Sequence, residues 1–139
     1  SCGGINSLFY DYIEKNDILY EQIQDDMNLY EEYSLQGEEH AERCELHRVE
    51  VVVQQCSEIN QRMQSNMGLL QQGIERASRE IEIFEAAGDN VDFTELTKVA
   101  VGIINKLDHC QRGISSIDSR VSGFEREVKT AVAAAEKSP

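Results

Sequence analysis

The sequence predicts an all-α protein, and three observations support that prediction. The chain of 139 residues contains one proline, Pro139, and no tryptophan, so residues that break helices are nearly absent. Apolar residues recur at helical spacing in three long segments. Short polar stretches that contain glycine separate these segments. We expect one domain, residues 1–139, that forms an elongated helical bundle: an N-terminal helix and a long antiparallel coiled-coil hairpin.

The N-terminal helix is predicted for about residues 5–33. Its apolar stripe recurs every three or four residues, at Phe9, Ile13, Asn16, Tyr20, Ile23, Met27 and Tyr30. If the stripe is continued at the same spacing, it reaches the polar residue Arg48. At that point the next segment has already begun its own stripe on another face of the helix. Because Ser34 and Gly37 lie between the two stripes, we expect a turn or a sharp kink near residues 34–38.

The first arm of the hairpin is predicted for about residues 38–87. Its stripe contains Val49, Val52, Cys56, Ile59, Met63, Asn66 or Met67, Leu70, Gly73 or Ile74, Ala77, Ile81 and Phe84. The stripe slides by one position after Met63, which indicates local unwinding of a supercoil. Residues 85–92 then supply a turn, since Gly88 can take the left-handed position that ends a helix. A connection this short makes the two arms antiparallel neighbours.

The second arm, about residues 92–137, carries the most regular pattern in the chain. Alternating steps of three and four residues meet only apolar residues or cysteine, at Phe93, Leu96, Ala100, Ile103, Leu107, Cys110, Ile114, Ile117, Val121, Phe124, Val128, Ala131 and Ala135. A period of 3.5 residues keeps one seam against a partner helix. Asp92 can cap this helix, with Glu95 completing a capping box. We expect the nine seam residues Phe93, Leu96, Ile103, Leu107, Cys110, Ile114, Ile117, Val121 and Phe124 to form the interaction seam.

The difference in helix length predicts an oligomer. An N-terminal helix of about 5–33 would cover only part of the hairpin and leave the seam bare at roughly residues 65–115. Bare seams of this kind are usually buried by a helix of another chain. We therefore expect homo- or hetero-oligomeric helical subunits as protein partners.

The charge distribution narrows the choice of partners. The net charge is −13, and residues 1–45 carry −10 of it, because twelve acidic residues face only Lys15 and Arg43 there. An acidic surface repels phosphates and anionic headgroups, so we expect no nucleic-acid partner. A basic protein partner fits better, and Tyr10, Tyr12 and Tyr33 in this acidic third are candidates to contact it.

The cysteines and the apolar runs indicate a compartment. The four cysteines are irregularly spaced and include no CxxC pair, which favours reduced thiols in a cytoplasmic or otherwise intracellular protein. No apolar run is long enough to span a bilayer, so we expect no membrane insertion. Residues 1–4 are predicted to be a flexible end. The alternative is an exported bacterial envelope lipoprotein, because Cys2 is followed by two glycines.

Two segments contain residue types that catalyse reactions or bind metals. Asp108, His109 and Cys110 are consecutive, and neighbours on a helix point about 100° apart, so they diverge instead of meeting at one substrate atom. His40, Cys44 and His47 follow i, i+4 and i+7 spacing and are the weak candidates for a metal site. On one straight helix, however, the first and last would be about 10 Å apart along the axis, too far for one ion.

These observations predict a function by elimination. The sequence contains no phosphate-binding glycine loop, no nucleophile elbow and no HExxH motif. We expect a protein that is not an enzyme, uses no cofactor and acts as a coiled-coil scaffold or interaction subunit of a larger assembly. The alternative is a helical-bundle sensor or ligand-binding domain.

Overall fold

The structure, a computed structural model, describes residues 2–86 and 94–137 and confirms the all-α prediction. Three helices follow one another: α1 is Cys2–Glu42, α2 is Leu46–Ala86 and α3 is Thr94–Lys137. Their lengths are 41, 41 and 44 residues. The described part of the chain contains no strand. The fold is therefore a bundle of three helices of nearly equal length.

The break between the first two helices lies at residues 43–45, not at the predicted 34–38. Helix α1 continues through Gly37, and residues 38–42 belong to α1 instead of the hairpin. Gly37 is buried, and a Cβ built on it would lie 3.1 Å from the Phe124 ring and from a Val52 methyl carbon. This glycine lets two helices approach α1, so it reflects close packing and not a helix end.

The turn that does end α1 uses a cysteine where glycine is the usual residue. Cys44 has a φ of 57°. Its amide donates to the carbonyl of Ala41 at 3.1 Å, and the amide of Glu45 donates to the carbonyl of His40 at 3.0 Å. This pair of bonds is the Schellman motif, which satisfies the last carbonyls of a helix. The backbone hydrogen bonds, and not a glycine, therefore define the end of α1.

The chain forms two compact units, and each helix contributes to both. Unit 1 consists of Ser1–Ile23 and Ser65–Gln111, and unit 2 consists of Gln24–Gln64 and Arg112–Pro139. Of the turn predicted within residues 85–92, residues 85 and 86 are the last of α2 and the rest lies outside the described residues. The capping residue proposed there, Asp92, also lies outside them.

Among the side chains that the structure describes, most of the buried apolar ones lie in unit 2. Those under a tenth exposed are Tyr30, Val49, Val52, Val53, Cys56, Ile59, Met63, Ile114, Ile117 and Val121. Asp26 lies opposite Arg62, and Gly37 lies opposite both Val52 and Phe124. Within this unit α1 therefore runs antiparallel to α2 and parallel to α3. The seam predicted for α3 faces the other two helices here.

Unit 1 is less completely packed. Its buried apolar residues among those described are Ile23, Met67, Leu70 and Cys110. Asn16 of α1 is 4% exposed, and its side-chain oxygen would lie 3.3 Å from a Cβ on Gly73. Tyr12 donates a hydrogen bond to Glu80 at 3.2 Å. Here too α1 runs antiparallel to α2, and a small residue on α2 makes room for a polar side chain.

Candidate functional site

The segment with the weak metal candidates is divided by the turn after α1. His40 lies in α1, Cys44 in the turn and His47 in α2. The i, i+4, i+7 arrangement on one helix therefore does not form. The Nδ1 atom of His40 lies 3.5 Å from a carboxylate oxygen of Glu45, and Glu45 also pairs with Arg48 at 3.0 Å.

These contacts give the segment a structural explanation. Glu45 occupies the position after the left-handed residue; its amide donates to the carbonyl of His40, and its carboxylate pairs with Arg48 at the start of α2. Cys44 and His47 are exposed. Across residues 2–86 and 94–137, no group of three or more His, Cys, Asp or Glu side chains is placed to hold a metal ion.

The consecutive residues Asp108, His109 and Cys110 diverge. Cys110 is fully buried, whereas Asp108 and His109 are exposed. The His109 ring lies 6.4 Å from the Tyr20 ring, and Lys106 places its ammonium 5.3 Å from the centre of the same Tyr20 ring. Lys106 also pairs with Asp17 at 2.8 Å. The three side chains therefore have different surroundings, with His109 beside Tyr20 of α1 and Cys110 in the core, and they do not form one reaction centre.

Buried cysteines are poor nucleophiles in this fold. Cys56 is 2% exposed, and burial raises the pKa of its thiol to about 11, although the nearby Arg120 opposes that rise. A thiol with so high a pKa stays protonated at neutral pH, and the thiolate is the reactive form. None of Cys44, Cys56 and Cys110 forms a disulfide.

The tyrosines proposed as partner contacts have different surroundings. Tyr12 is half-buried and bonded to Glu80; burial raises the pKa of its hydroxyl, and the Glu80 carboxylate raises it further. Tyr33 is half-buried as well. The side chain of Tyr10 lies outside the described residues. Two of the three candidates therefore keep part of the ring accessible to a partner.

Ion pairs connect α1 to the other helices of unit 2. The guanidinium of Arg62 donates two hydrogen bonds to Asp26, at 2.9 and 2.7 Å. Arg120 donates to both carboxylate oxygens of Glu31, at 2.6 and 3.1 Å, and its guanidinium carbon lies 4.8 Å from the centre of the Tyr30 ring. These bonds lower the pKa of Glu31 and raise the pKa of Arg120. Bidentate pairs fix helix register as well as contributing energy.

Four residues of the predicted interaction seam are buried within the chain, and three others are only partly covered. Cys110, Ile114, Ile117 and Val121 are at most 7% exposed. Ile103, Leu107 and Phe124 are half-buried. Phe93 lies outside the described residues, and the side chain of Leu96 is not described. Helix α1 reaches this part of α3, so the assumption that a short α1 leaves residues 65–115 bare is wrong.

The structure nevertheless exposes large apolar side chains, mostly in unit 1. Those at least about half exposed are Ile18, Leu69, Ile83, Val101 and Ile104 in unit 1, and Leu35 and Val51 in unit 2. These residues lie beside the seam, so the heptad pattern does not include them. The sequence does indicate a wider apolar surface, because Val101 directly follows the seam residue Ala100 and Ile104 directly follows the seam residue Ile103.

Three grooves lie between helices. A narrow groove of about 40 Å³ in unit 1 is lined by Tyr12, Asn16, Ile74, Ala77, Ser78, Ile81, Ala100, Ile103 and Ile104. A groove of about 220 Å³ in unit 2 contains Tyr30, Ser34, Glu38 and Arg120 among its lining residues. A third groove, of about 360 Å³, also lies in unit 2. We call it the C-terminal groove. It is lined by Ala41, Cys44, Glu45, Leu46, Val49, Phe124, Glu127, Val128 and Ala131.

Two further findings bear on function. No helix within residues 2–86 and 94–137 is long and apolar enough to cross a membrane. Comparison of the chain with protein-family models, with curated protein sequences and with solved structures finds no match.

Proposed function

We propose that this protein is a non-enzymatic scaffold subunit that assembles with helices of other chains, or of its own copies, through unit 1. The observation that supports the proposal is the apolar surface of that unit. Val101 and Ile104 of α3 are 50% and 52% exposed, and Ile83 of α2 is 66% exposed. A three-residue spacing places Val101 and Ile104 on one face of α3. Clusters of exposed large apolar residues commonly mark interaction sites.

The partly covered seam of unit 1 adds to this surface. Ile81, Ala100 and Ile103 are each half-buried and line a groove of only about 40 Å³. A groove of that volume is far smaller than the roughly 300–1,000 Å³ of typical small-molecule pockets. A helix that packs across it would remove the seam and the adjoining Ile104 from water together. Removal of apolar surface from water is the main favourable contribution to such an association.

The proposal includes an intracellular, reducing compartment. The thiols of Cys44, Cys56 and Cys110 support it, because none of them is in a disulfide.

Substitutions on the exposed face of α3 test the proposal. Val101→Asp and Ile104→Asp, each alone, should shift the protein towards the monomer in sedimentation velocity across a concentration series, because a carboxylate cannot be buried unpaired in an apolar interface. Ser119→Asp is the matched control: it adds the same charge to an exposed position of α3 in unit 2, about 22 Å along the helix from Ile104. Circular dichroism should show equal helicity in all three variants.

Photo-crosslinking extends the test to partners other than a second copy. A benzophenone amino acid at position 101 should form a defined adduct in the native source, and one at position 119, in unit 2, should not. A protein that is monomeric at every concentration and gives no adduct specific to position 101 would contradict the proposal.

A further inference from the structure

The C-terminal groove combines apolar residues from three helical segments. Phe124, Val128 and Ala131 have the 4 and 3 spacing of one face of α3, and Leu46 and Val49 stand one turn apart at the start of α2. Ala41 adds the last turn of α1. The floor and walls of the groove are therefore apolar helix surfaces, the kind of surface that accepts the apolar face of another helix.

The groove is open because α3 extends past the end of α1. Gly37 lies opposite Phe124, and the two helices run parallel in unit 2. Helix α1 ends five residues after Gly37, at Glu42, whereas α3 continues for thirteen residues after Phe124, to Lys137. At about 1.5 Å per residue, α3 exceeds α1 by roughly 12 Å.

The apolar pattern of α3 continues over this extension. Phe124 and Val128 are half-buried, and the next seam positions, Ala131 and Ala135, are exposed. The seam positions of α3 stay apolar past the point where α1 ends. A seam that stays apolar beyond its own cover is expected where a further helix packs.

The polar groups of the groove favour a basic partner. Its charged lining residues, Glu45 and Glu127, are both carboxylates, and residues 24–45, the part of α1 and its turn in unit 2, contain eight acidic residues against Arg43, a net charge of −7. A second copy would bring the same carboxylates to the interface and be repelled. Lysine or arginine beside an apolar helix face would be attracted, and such complementarity increases both association rate and selectivity.

The groove is less suited to a small ligand. Its volume of about 360 Å³ falls within the range of ligand pockets. Such pockets, however, contain several polar groups that converge on the ligand. Here the lining contains two carboxylates, Glu45 and Glu127, and the thiol of Cys44, and its remaining residues are apolar.

We propose that the C-terminal groove binds an amphipathic helix of another protein, with apolar residues on one face and basic residues beside that face. The groove lies in unit 2 and is separate from the apolar face of unit 1. The inference therefore goes beyond the proposed scaffold function and does not require self-association.

Fluorescence anisotropy with three synthetic peptides tests this inference. The first peptide has leucines at i, i+3, i+4 and i+7 and lysines on the flanks, the second has glutamates in place of the lysines, and the third has the composition of the first with leucines spread around the helix. The full chain should bind the first peptide at least about tenfold more tightly than either other peptide.

Two alanines of α3 provide matched variants. Ala131 lines the groove and is exposed, whereas Ala133, also exposed, is about 200° further round the helix. Ala131→Asp should weaken binding of the first peptide about tenfold, and Ala133→Asp should leave it within about twofold. Both substitutions occur at exposed positions, so the fold should persist in each variant.

The outcomes separate this inference from the scaffold proposal. Equal binding of the first and third peptides, or equal loss in the two alanine variants, would show attraction by charge alone and overturn the inference. Tight binding of the glutamate peptide would overturn the charge argument. Self-association lost in Ala131→Asp would assign the groove to a second copy. Ile104→Asp should bind the first peptide as the unsubstituted chain does, whatever its oligomeric state.

Discussion

The turn residue Cys44 holds a backbone conformation that costs an L-residue energy. Its φ of 57° lies in the left-handed region, which is unfavourable for a residue with a Cβ by about 1–2 kcal/mol. The two hydrogen bonds of the Schellman motif offset that cost. The end of α1 therefore depends on these backbone hydrogen bonds. The cysteine side chain itself is exposed.

Cys44→Gly should increase the free energy of unfolding by about 0.5–1 kcal/mol, because glycine adopts the left-handed region freely but loses more entropy on folding. Urea denaturation followed by circular dichroism measures this change. Cys44→Ala removes the thiol and keeps the Cβ, so its stability should match that of the unsubstituted chain. Equal stabilisation by alanine and glycine would show that the thiol, and not the backbone conformation, causes the effect.

The pair formed by Glu31 and Arg120 makes stability depend on pH. Hydrogen bonds from Arg120 hold the pKa of Glu31 below its ordinary value. The folded state therefore favours the carboxylate, and the stability from this pair is present at neutral pH. It is lost as the pH falls through the lowered pKa of the folded state.

Glu31→Gln should lower the free energy of unfolding at neutral pH by about 0.5 kcal/mol, a small value because the Glu31 side chain is 53% exposed. The difference between variant and unsubstituted chain should vanish in acid, once the carboxylate is protonated in both folded and unfolded states. Urea denaturation over a pH series measures it. Glu32→Gln, an exposed neighbour on α1, controls for the loss of one charge, and an equal pH effect there would contradict the role of the pair.

At the scale of helices, glycine has opposite meanings at different positions. A Cβ on Gly37 would lie 3.1 Å from Phe124 and from Val52, whereas a Cβ on Gly123 would meet nothing within 4 Å. Both glycines lie inside helices, where alanine is favoured by about 1 kcal/mol. The surroundings decide whether that gain is realised.

Gly123→Ala should increase the free energy of unfolding by up to about 1 kcal/mol. Gly37→Ala should be less stable than Gly123→Ala by about 1–2 kcal/mol, because the ring of Phe124 and the branched Val52 must shift. Thermal and urea unfolding of the two variants provide the measurement. If Gly37→Ala were as stable as Gly123→Ala, the close packing of α1 against α2 and α3 would be wrong.

At the scale of the whole molecule, the core is unevenly distributed. In unit 2, Ile114, Ile117 and Val121 of the α3 seam are at most 7% exposed, but Phe124 and Val128 are half-buried. In unit 1, Ile103 and Leu107 are half-buried and Ile104 is about half exposed. The acidic charge is uneven as well, with −10 in residues 1–45. The two proposed interaction surfaces follow this distribution: an apolar face in unit 1, and an apolar groove with acidic lining residues in unit 2.

Salt should distinguish the two surfaces. Contacts between copies of a chain with net charge −13 suffer repulsion, which salt screens over about 10 Å at 0.1 M. Binding of a basic helix to the C-terminal groove depends on attraction, which salt weakens. The sedimentation and anisotropy experiments described above can each be repeated at two salt concentrations to show these opposite trends.

The amino-acid pattern alone determined the all-α class, the number of helices and the four buried seam positions Cys110, Ile114, Ile117 and Val121 of α3. Periodicity suffices for this because burial of one stripe per helix is a local requirement. The acidic N-terminal third can likewise be recognised from the sequence, because counting charged residues does not require the fold.

Tertiary structure decided what local patterns cannot express. Gly37 looks like a helix end in the sequence, but Phe124 and Val52 pack against it, so α1 runs on to Glu42. Tertiary contacts also decide which parts of the seam are covered: residues 2–23 of α1 share unit 1 with residues 65–111, and Val128 and Ala131 of α3 line the C-terminal groove in unit 2. The physical reason is that a residue's neighbours in space, not its neighbours in the chain, determine whether a small side chain ends a helix or admits another one.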